Sequence, residues 1–385
     1  GAVGTTADYD AWYQSHQPFH WLAEFYEIIN GHGGFDVIIG NPPYVKISTN
    51  TSNLPYSPTS VKASAHCGDL FGYCLERIIY LSKARYSLII PLSLTTTNKM
   101  EKLKEFMIKD STDLWTSYYS ASAQPSTLFE VVRHRLMIVN SNRSGKRFDC
   151  KIYTTNFIKW LSSERQILFN AKLHYTNATN LGCCKISTQK ESNILSRING
   201  DRDLSYHIKS FGTPIYYHNA PVYWGKVFNF IPMFKVGDNA PIQSSHLKTI
   251  YFGNKHHANL VICILNSSLF YWFNWQYSNC RDLAVHNIEI FKFSLTSEDD
   301  TYYKNITLLC NSLMNDYKRN SIVYKRISKD VLTQFDSFYP AKSKPIIDEI
   351  DKLLARHYGF TEEELDFIIN YDIKYRMGDE LNEEK

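Results

Sequence analysis

Apolar and polar positions follow two different rhythms along this chain. Up to about residue 145, short continuous apolar runs alternate with stretches of helical spacing. "FDVII" (35–39) is a continuous run and predicts a strand buried on both faces. "DLFGYCLERIIYLSKA" follows from Asp69, with Leu70, Cys74 and Ile78 at i, i+4, i+8 and Phe71, Leu75 and Ile79 in the same spacing. That pattern predicts a helix with one broad apolar face and Asp69 as its N-cap. "RYSLIIPLSL" (85–94) predicts a strand ended by Pro91, "MEKLKEFMIK" a helix, and 114–120 and 135–141 two further strands. Strand–helix–strand alternation predicts a mostly parallel α/β sheet.

After residue 150 the rhythm changes. Short β-like pieces such as "YYHNAPVYWGKVFNF" and "HLKTIYF" alternate with turns, and a long apolar stretch, "HANLVICILNSSLFYWFNWQY", predicts one long helix. Aromatic residues cover most of the circumference of 270–277, which signals burial rather than a platform for stacking bases. The pattern then returns to clean helix. Pro345 sits at a helix start, Gly359 stops that helix, and Thr361 with Glu364 forms a capping box for the next. The expected organisation is a first domain over 1–149, a mixed second domain over 150–340, and a C-terminal helical segment with an acidic tail over 341–385. The segment between Pro42 and Asp69, rich in Ser, Thr, Asn and Pro, reads as a functional loop that orders over a substrate.

Composition adds limits. No run of eighteen apolar residues supports a membrane span, and the first residues lack the basic and apolar regions of a signal peptide. The eight cysteines form no C-x-x-C pair, and with no His cluster near vicinal Cys183 and Cys184 no metal site is expected. Free thiols place the chain in a reducing cytoplasm. Residues 346–385 hold twelve acidic and five basic side chains, a net of −7, which leaves +11 on the other 345 residues. A basic body with an acidic tail is compatible with a polyanionic partner.

The chemistry concentrates where the first strand ends. Asn41-Pro42-Pro43-Tyr44 fixes φ twice and removes two backbone donors, so neither strand nor helix continues through it. The turn lies at the carboxyl end of a strand, where open α/β sheets bind ligands. The side-chain oxygen of Asn41 and the carbonyl of Pro42 are two acceptors on a rigid scaffold. An exocyclic amino group on a planar heterocycle offers two N–H donors, and a Tyr44 ring can stack on its face. Holding both protons makes the nitrogen lone pair available, and positioning does most of the remaining work.

"FDVIIGNPPYV" resembles the catalytic motif of S-adenosylmethionine-dependent amino-methyltransferases, in particular the N6-adenine DNA methyltransferases. "FHWLAEFYEIINGHGGFDVIIGNPPYV", "DLFGYCLERIIYL", "YSLIIPLSLTTTN", "LNSSLFYWF" and "PIIDEIDKLLARHYGFTEEELDFIINYDIKYRMG" are similar to bacterial type IIG restriction–modification methylases, over most of the chain. The resemblance implies a partial Rossmann-like methyltransferase sheet, a mixed α+β target-recognition domain and C-terminal helices. It implies that Asn41 and Pro42 accept the adenine N6 amino protons, with Pro43 completing the motif and Tyr44 stacking on a base flipped out of double-stranded DNA. It places Asp69 and Phe71 on the cofactor pocket and makes S-adenosylmethionine the methyl donor.

Two further readings qualify that picture. A glycine-rich strand-to-helix turn is expected upstream of the proline motif, whereas "GHGGFD" (31–36) leads into a strand and reads as a tight turn. The chain therefore looks like the later part of a larger protein, partnered by the upstream part of the same protein or by another subunit, and inactive alone. Lys46 and the group Arg133, Arg135, Arg143, Lys146 and Arg147 are the candidate DNA-phosphate contacts. The competing functions are a DNA-binding specificity module that does not methylate by itself, and an amino-methyltransferase for protein or RNA, which shares the tetrapeptide.

Overall fold

The computed structural model describes residues 5–17, 19–47, 62–120, 128–129, 134–143, 149–160, 162–169, 173–178, 185–198, 202–293, 300–328 and 330–378. The expected substrate loop falls largely on 48–61, outside the described residues. The chain divides into two compact units, one made of Gly1–Ala121, Thr127–Tyr153 and Asn177–Leu181, the other of Ser122–Ser126, Thr154–Thr176 and Gly182–Lys385.

The first unit begins with α1 (Thr6–His16) and the short α2 (Trp21–Glu24), followed by β1 (Phe35–Gly40). The turn into β1 needs a glycine. Gly34 has φ +117° and packs so closely that a Cβ would sit 2.3 Å from the Leu81 carbonyl oxygen. The "GHGG" string thus enters a strand, as its spacing predicts. Next come α3 (Leu70–Leu81), β2 (Ser82–Pro91), α4 (Ser93–Thr96), α5 (Glu101–Asp110), β3 (Asp113–Tyr119) and β4 (Leu136–Asn142). β5 (Lys151–Ile158) begins in this unit, and β6 (Thr176–Ala178) lies at its return. All four expected strands lie in one sheet, of order β1-β2-β4-β3-β5-β6.

Of the first four strands, β1, β2 and β3 run parallel and β4 alone runs against them. β1 pairs parallel with β2, with Ile39 opposite Ser87 and Gly40 opposite Leu88, but β4 pairs antiparallel with both β2 and β3. The reason is topological. A helical crossover through α4 and α5 makes β3 parallel to β2 but leaves one strand position open between them, and β4, running the other way, fills it. Helices α3 and α5 bury Phe71, Leu75, Ile79, Leu103 and Met107 together with Leu88, Ile90, Met137 and Val139 of β2 and β4.

β1 also departs from expectation. It is an edge strand, and its Val37 and Ile39 are 55% and 78% exposed rather than buried on both faces. A continuous apolar run marks surface that gains from burial; it cannot say which neighbour covers it.

The second unit holds α6 (Gln189–Arg197), β7 (Ile208–Lys209), β8 (Thr213–His218), β9 (Val227–Phe228), β10 (Phe234–Val236), β11 (Leu247–Phe252), α7 (Lys255–Asn266), α8 (Ser268–Tyr277) and α9 (Val285–Glu289). It continues with α10 (Asp300–Asn320), β12 (Ile322–Ser328), β13 (Val331–Ser337), α11 (Lys344–Tyr358), α12 (Glu362–Asn370) and α13 (Ile373–Arg376). Two antiparallel sheets, β7-β11-β8-β9 and β10-β13-β12, accompany a helical core.

The long apolar stretch forms two helices, not one. Ser267 is extended (φ −71°, ψ 156°) and its hydroxyl accepts the Phe270 N–H. The two oxygens of Asp351 accept the N–H groups of Ser268 and Leu269, both at 3.0 Å. These acceptors satisfy the N-terminal donors of α8, and the break is held in place by a residue more than eighty positions away. As expected, the aromatic residues of α8 from Phe270 to Trp275 are buried, and Tyr277 at its end is half-buried. The C-terminal helices pack onto those before them. Ile347, Ile350 and Leu354 of α11 share a hydrophobic core with α7, α8 and α10. Their ends match the sequence signals: Pro345 in the first turn, Gly359 at φ +66° as the left-handed cap, and the Thr361–Glu364 box.

Candidate active site

β1 stops at Gly40, and the two prolines that follow leave it no way to extend. Asn41 and Pro43 are exposed and Pro42 is buried, which anchors the turn and leaves the Asn41 amide accessible at the carboxyl end of β1. Tyr44 is half-buried. Its hydroxyl donates to the carbonyl of Ile89 in β2 at 3.0 Å, and burial pushes the phenol up to about 12. The ring is therefore held at both ends, by its backbone beside the prolines and by its hydroxyl on the neighbouring strand. The exposed ring of His134 stands edge-on to it, 6.1 Å between centroids.

The chain after Tyr44 is pinned next to Asp69. The Leu70 N–H donates to Val45 (2.8 Å), the Ile47 N–H donates to Gly68 (2.9 Å), and Lys46 bridges to Asp69 across this two-stranded contact. The structure thus brings Asp69 and Lys46 to the proline turn. Asp69 occupies the N-cap position of α3, but its side chain makes no capping bond, contrary to expectation. Burial raises its carboxyl above the ordinary value, and the charges of Lys46, Lys99 and His134 pull it back. A carboxylate free of the helix end and faced by cations is available to a ligand. Phe71, one residue later, is 1% exposed and packs in the core.

The candidate phosphate contacts separate. Lys46 is exposed and Arg135 half-buried. Arg133, Lys146 and Arg147 lie outside the described residues. Arg143 turns inward: its guanidinium pairs with Asp110 and donates to the Ile79 carbonyl at 2.7 Å, with only 9% of the side chain exposed. It ties β4 to α3 and α5, because a strand-end arginine that finds a buried carboxylate is held there by two charge-assisted bonds.

Three residues that sequence reasoning did not single out stand out. His134 and Lys99 face the Tyr44–Asp69 region. Glu76, on the buried side of α3, accepts the N–H groups of Lys62, Ala63 and Ser64 and the Ser64 hydroxyl. Burial pushes its carboxyl up, and those four donors more than offset it, leaving it below the ordinary value. An acid directly beside Leu75 of the Phe71–Leu75–Ile79 stripe was a readable signal, since a buried carboxylate demands donors. Among the described residues, no group of three or more His, Cys, Asp or Glu is placed to hold a metal ion, and six of the eight cysteines are free thiols; Cys183 and Cys184 lie outside them.

Residues 6–123 match the Eco57I restriction-modification methylase family. The match contains Asn41–Tyr44, Lys46, Asp69 and Phe71. No curated protein matches the chain. Among solved structures, the type IIL restriction-modification enzyme MmeI in complex with DNA is 11% identical, with 88% of this chain and 57% of that chain covered at a TM-score of 0.47. The type IIG restriction endonuclease BpuSI is 11% identical over 87% of this chain and 52% of that one, at 0.30. The DrdV–DNA complex is 15% identical over 36% and 17%, at 0.29. The chain thus spans less than two thirds of each of these proteins. No helix among the described residues is long and apolar enough to cross a membrane.

Proposed function

We propose that the first unit carries the amine-binding half of an adenine-N6 DNA methyltransferase of a restriction–modification system, with Asn41 and Pro42 as the acceptors and Tyr44 as the stacking ring. The observation that carries this reading is the turn itself: an exposed amide on a buried proline at the carboxyl end of a strand, beside a tyrosine locked by its hydroxyl to the Ile89 carbonyl. The Asn41 oxygen and the Pro42 carbonyl accept the two amino protons of a flipped base. That draws the nitrogen toward sp³ and directs its lone pair at the methyl donor. Tyr44, its hydroxyl engaged, presents a ring of fixed orientation. Three mutually parallel strands, β1, β2 and β3, joined through helices support a Rossmann-like reading of the sheet.

S-adenosylmethionine is the donor this reading implies, and the residues described do not make a complete site for it. Asp69 offers a carboxylate, but the strand that leads into helix here, β2, leaves through Pro91-Leu92-Ser93 rather than a glycine-rich turn that would let a cofactor approach the backbone. No step is therefore routed through the donor. Calorimetry on residues 1–385 is expected to show no saturable binding of S-adenosylmethionine.

The second unit supports DNA as the partner. β12 is exposed at all seven positions, with Tyr324, Lys325 and Arg326 in sequence and Ile327 73% exposed. As the edge strand of the β10-β13-β12 sheet, it offers side chains suited to both phosphate and base-edge contacts.

The decisive experiment is tritiated-methyl transfer to duplex DNA by the enzyme that contains this chain, with the modified nucleoside identified after digestion. N6-methyladenine is expected, and Asn41→Ala is expected to lower the rate by about 10²–10³ with duplex binding retained. A different methylated nucleoside, or full activity in Asn41→Ala, removes the proposal.

A further inference from the structure

Within the second unit, a cavity of about 320 Å³ lies between the face of the β8–β9–β11 sheet and the β10 and β13 strands. Its floor is set by strand register. The His218 N–H donates to the Lys226 carbonyl at 2.9 Å, and Leu247 pairs with His218, so these residues share a face with Phe228 two positions beyond Lys226. Phe234 and Phe335, paired across β10 and β13, contribute to the opposite wall.

The polar content of this cavity is unusual. Lys226 is half-buried, its ammonium has no hydrogen-bond or ion-pair partner among the described residues, and desolvation lowers its pKa from the ordinary value. An ammonium at the wall of a cavity, with no partner of its own, is open to an anionic ligand. The His218 and His246 rings stack beside it, 5.8 Å apart at 20°. His218 Nδ1 accepts the Ala220 N–H at 3.2 Å, so the neutral ring carries its proton on Nε2 and offers a donor. Burial, with Lys226 and His246, keeps that ring below the usual imidazole range. Asp336, the acid in the lining, is turned to the backbone: its Oδ2 accepts the Met233 N–H at 2.8 Å.

We infer that this cavity binds one nucleoside monophosphate unit, with its phosphate on Lys226 and His218 and its base against the phenylalanine wall. The charge to be neutralised is positive, the donors are an ammonium and an imidazole N–H, and the remaining surface is aromatic. An anion alone would leave the aromatic wall bare, and an uncharged ring would leave the ammonium unpaired. The volume lies at the small end of ligand sites and suits a mononucleotide. The unit comes either from a DNA strand or from a free nucleotide, and the inference does not depend on the methyltransferase reading.

The test is a titration of the full chain with 2′-deoxyadenosine 5′-monophosphate, deoxyadenosine and inorganic phosphate. Saturable binding of the monophosphate is expected, with deoxyadenosine and phosphate each weaker by about tenfold or more. Lys226→Met should weaken the monophosphate by at least about tenfold, leave deoxyadenosine unchanged, and not lower the melting temperature, because the ammonium it removes bonds to no described residue. Phe234→Trp should block both nucleoside ligands by filling the wall, which keeps the test open if one variant misfolds. Displacement of the monophosphate by a short single strand assigns the source to DNA, and failure to displace assigns it to free nucleotide. Absence of monophosphate binding, or binding indifferent to Lys226→Met in a folded variant, overturns the inference.

Discussion

β1 and the α7–α8 pair carry the same sequence signature, a continuous apolar run, and meet opposite fates. Every residue from Ala258 to Phe273 is buried, whereas Val37 and Ile39 on β1 face solvent. The difference lies in neighbours. α7 and α8 are enclosed by α10, α11 and α12 within one core, and β1 has a paired strand on one side only. An apolar run states a demand for burial, and the arrangement of distant elements decides whether it is met. Open edges with apolar side chains invite pairing with other chains.

The comparison is tested most severely in the buried pair. Trp272→Ala empties a fully buried site on α8 and is expected to cost about 3–5 kcal/mol, read from urea denaturation. A loss under about 1 kcal/mol would break the contrast between the two runs.

The second test uses the carboxylate that separates α7 from α8. Burial raises Asp351 from 3.8 to about 6, against the donors from Ser268 and Leu269 and the Arg376 guanidinium. The folded state then binds the proton more tightly than the unfolded chain does. Stability from this group is present at low pH and declines as pH rises from about 4 to about 6, by roughly 3 kcal/mol in all. Glu76 in the first unit runs the other way, its contribution being lost on acidification. Denaturation at several pH values should show the decline vanish in Asp351→Asn and persist in wild type.

Smaller effects are expected near β1. Tyr44→Phe removes the bond to the Ile89 carbonyl and should cost about 1 kcal/mol of stability while loosening the ring. Ile39→Thr should change stability by no more than about 0.5 kcal/mol. It should reduce concentration-dependent self-association in sedimentation runs, and an unchanged self-association would show that the exposed face of β1 is not a contact surface.

Much of the candidate site was legible in order but not in company. The Asn41–Tyr44 turn follows from two prolines after an apolar run, and that inference needs only local sterics. Asp69 as a neighbour of the turn does not, since its place is set by the backbone contact of 45–47 with 68–70. Its missing cap bond was invisible for the same reason: Asp is the right residue for an N-cap, and burial beside Lys46 gives its carboxylate another setting. Arg143 looked like a surface cation because it sits among arginines and lysines, yet Asp110 on α5 takes it inward.

The sequence by itself determined the element types and their ends. Period and capping residues are local, so α5, β3, α11 and α12 sit within a residue or two of where the pattern puts them, while α3 ends and β2 begins three residues earlier than the pattern puts them. Tertiary structure alone decided strand direction, the exposure of β1, the break at Ser267 held by Asp351, and the meeting of Lys226 with His218 and His246. Each of these depends on contacts between residues far apart in the chain. A strand's direction changes no residue in its pattern, and a buried lysine is spelled like an exposed one.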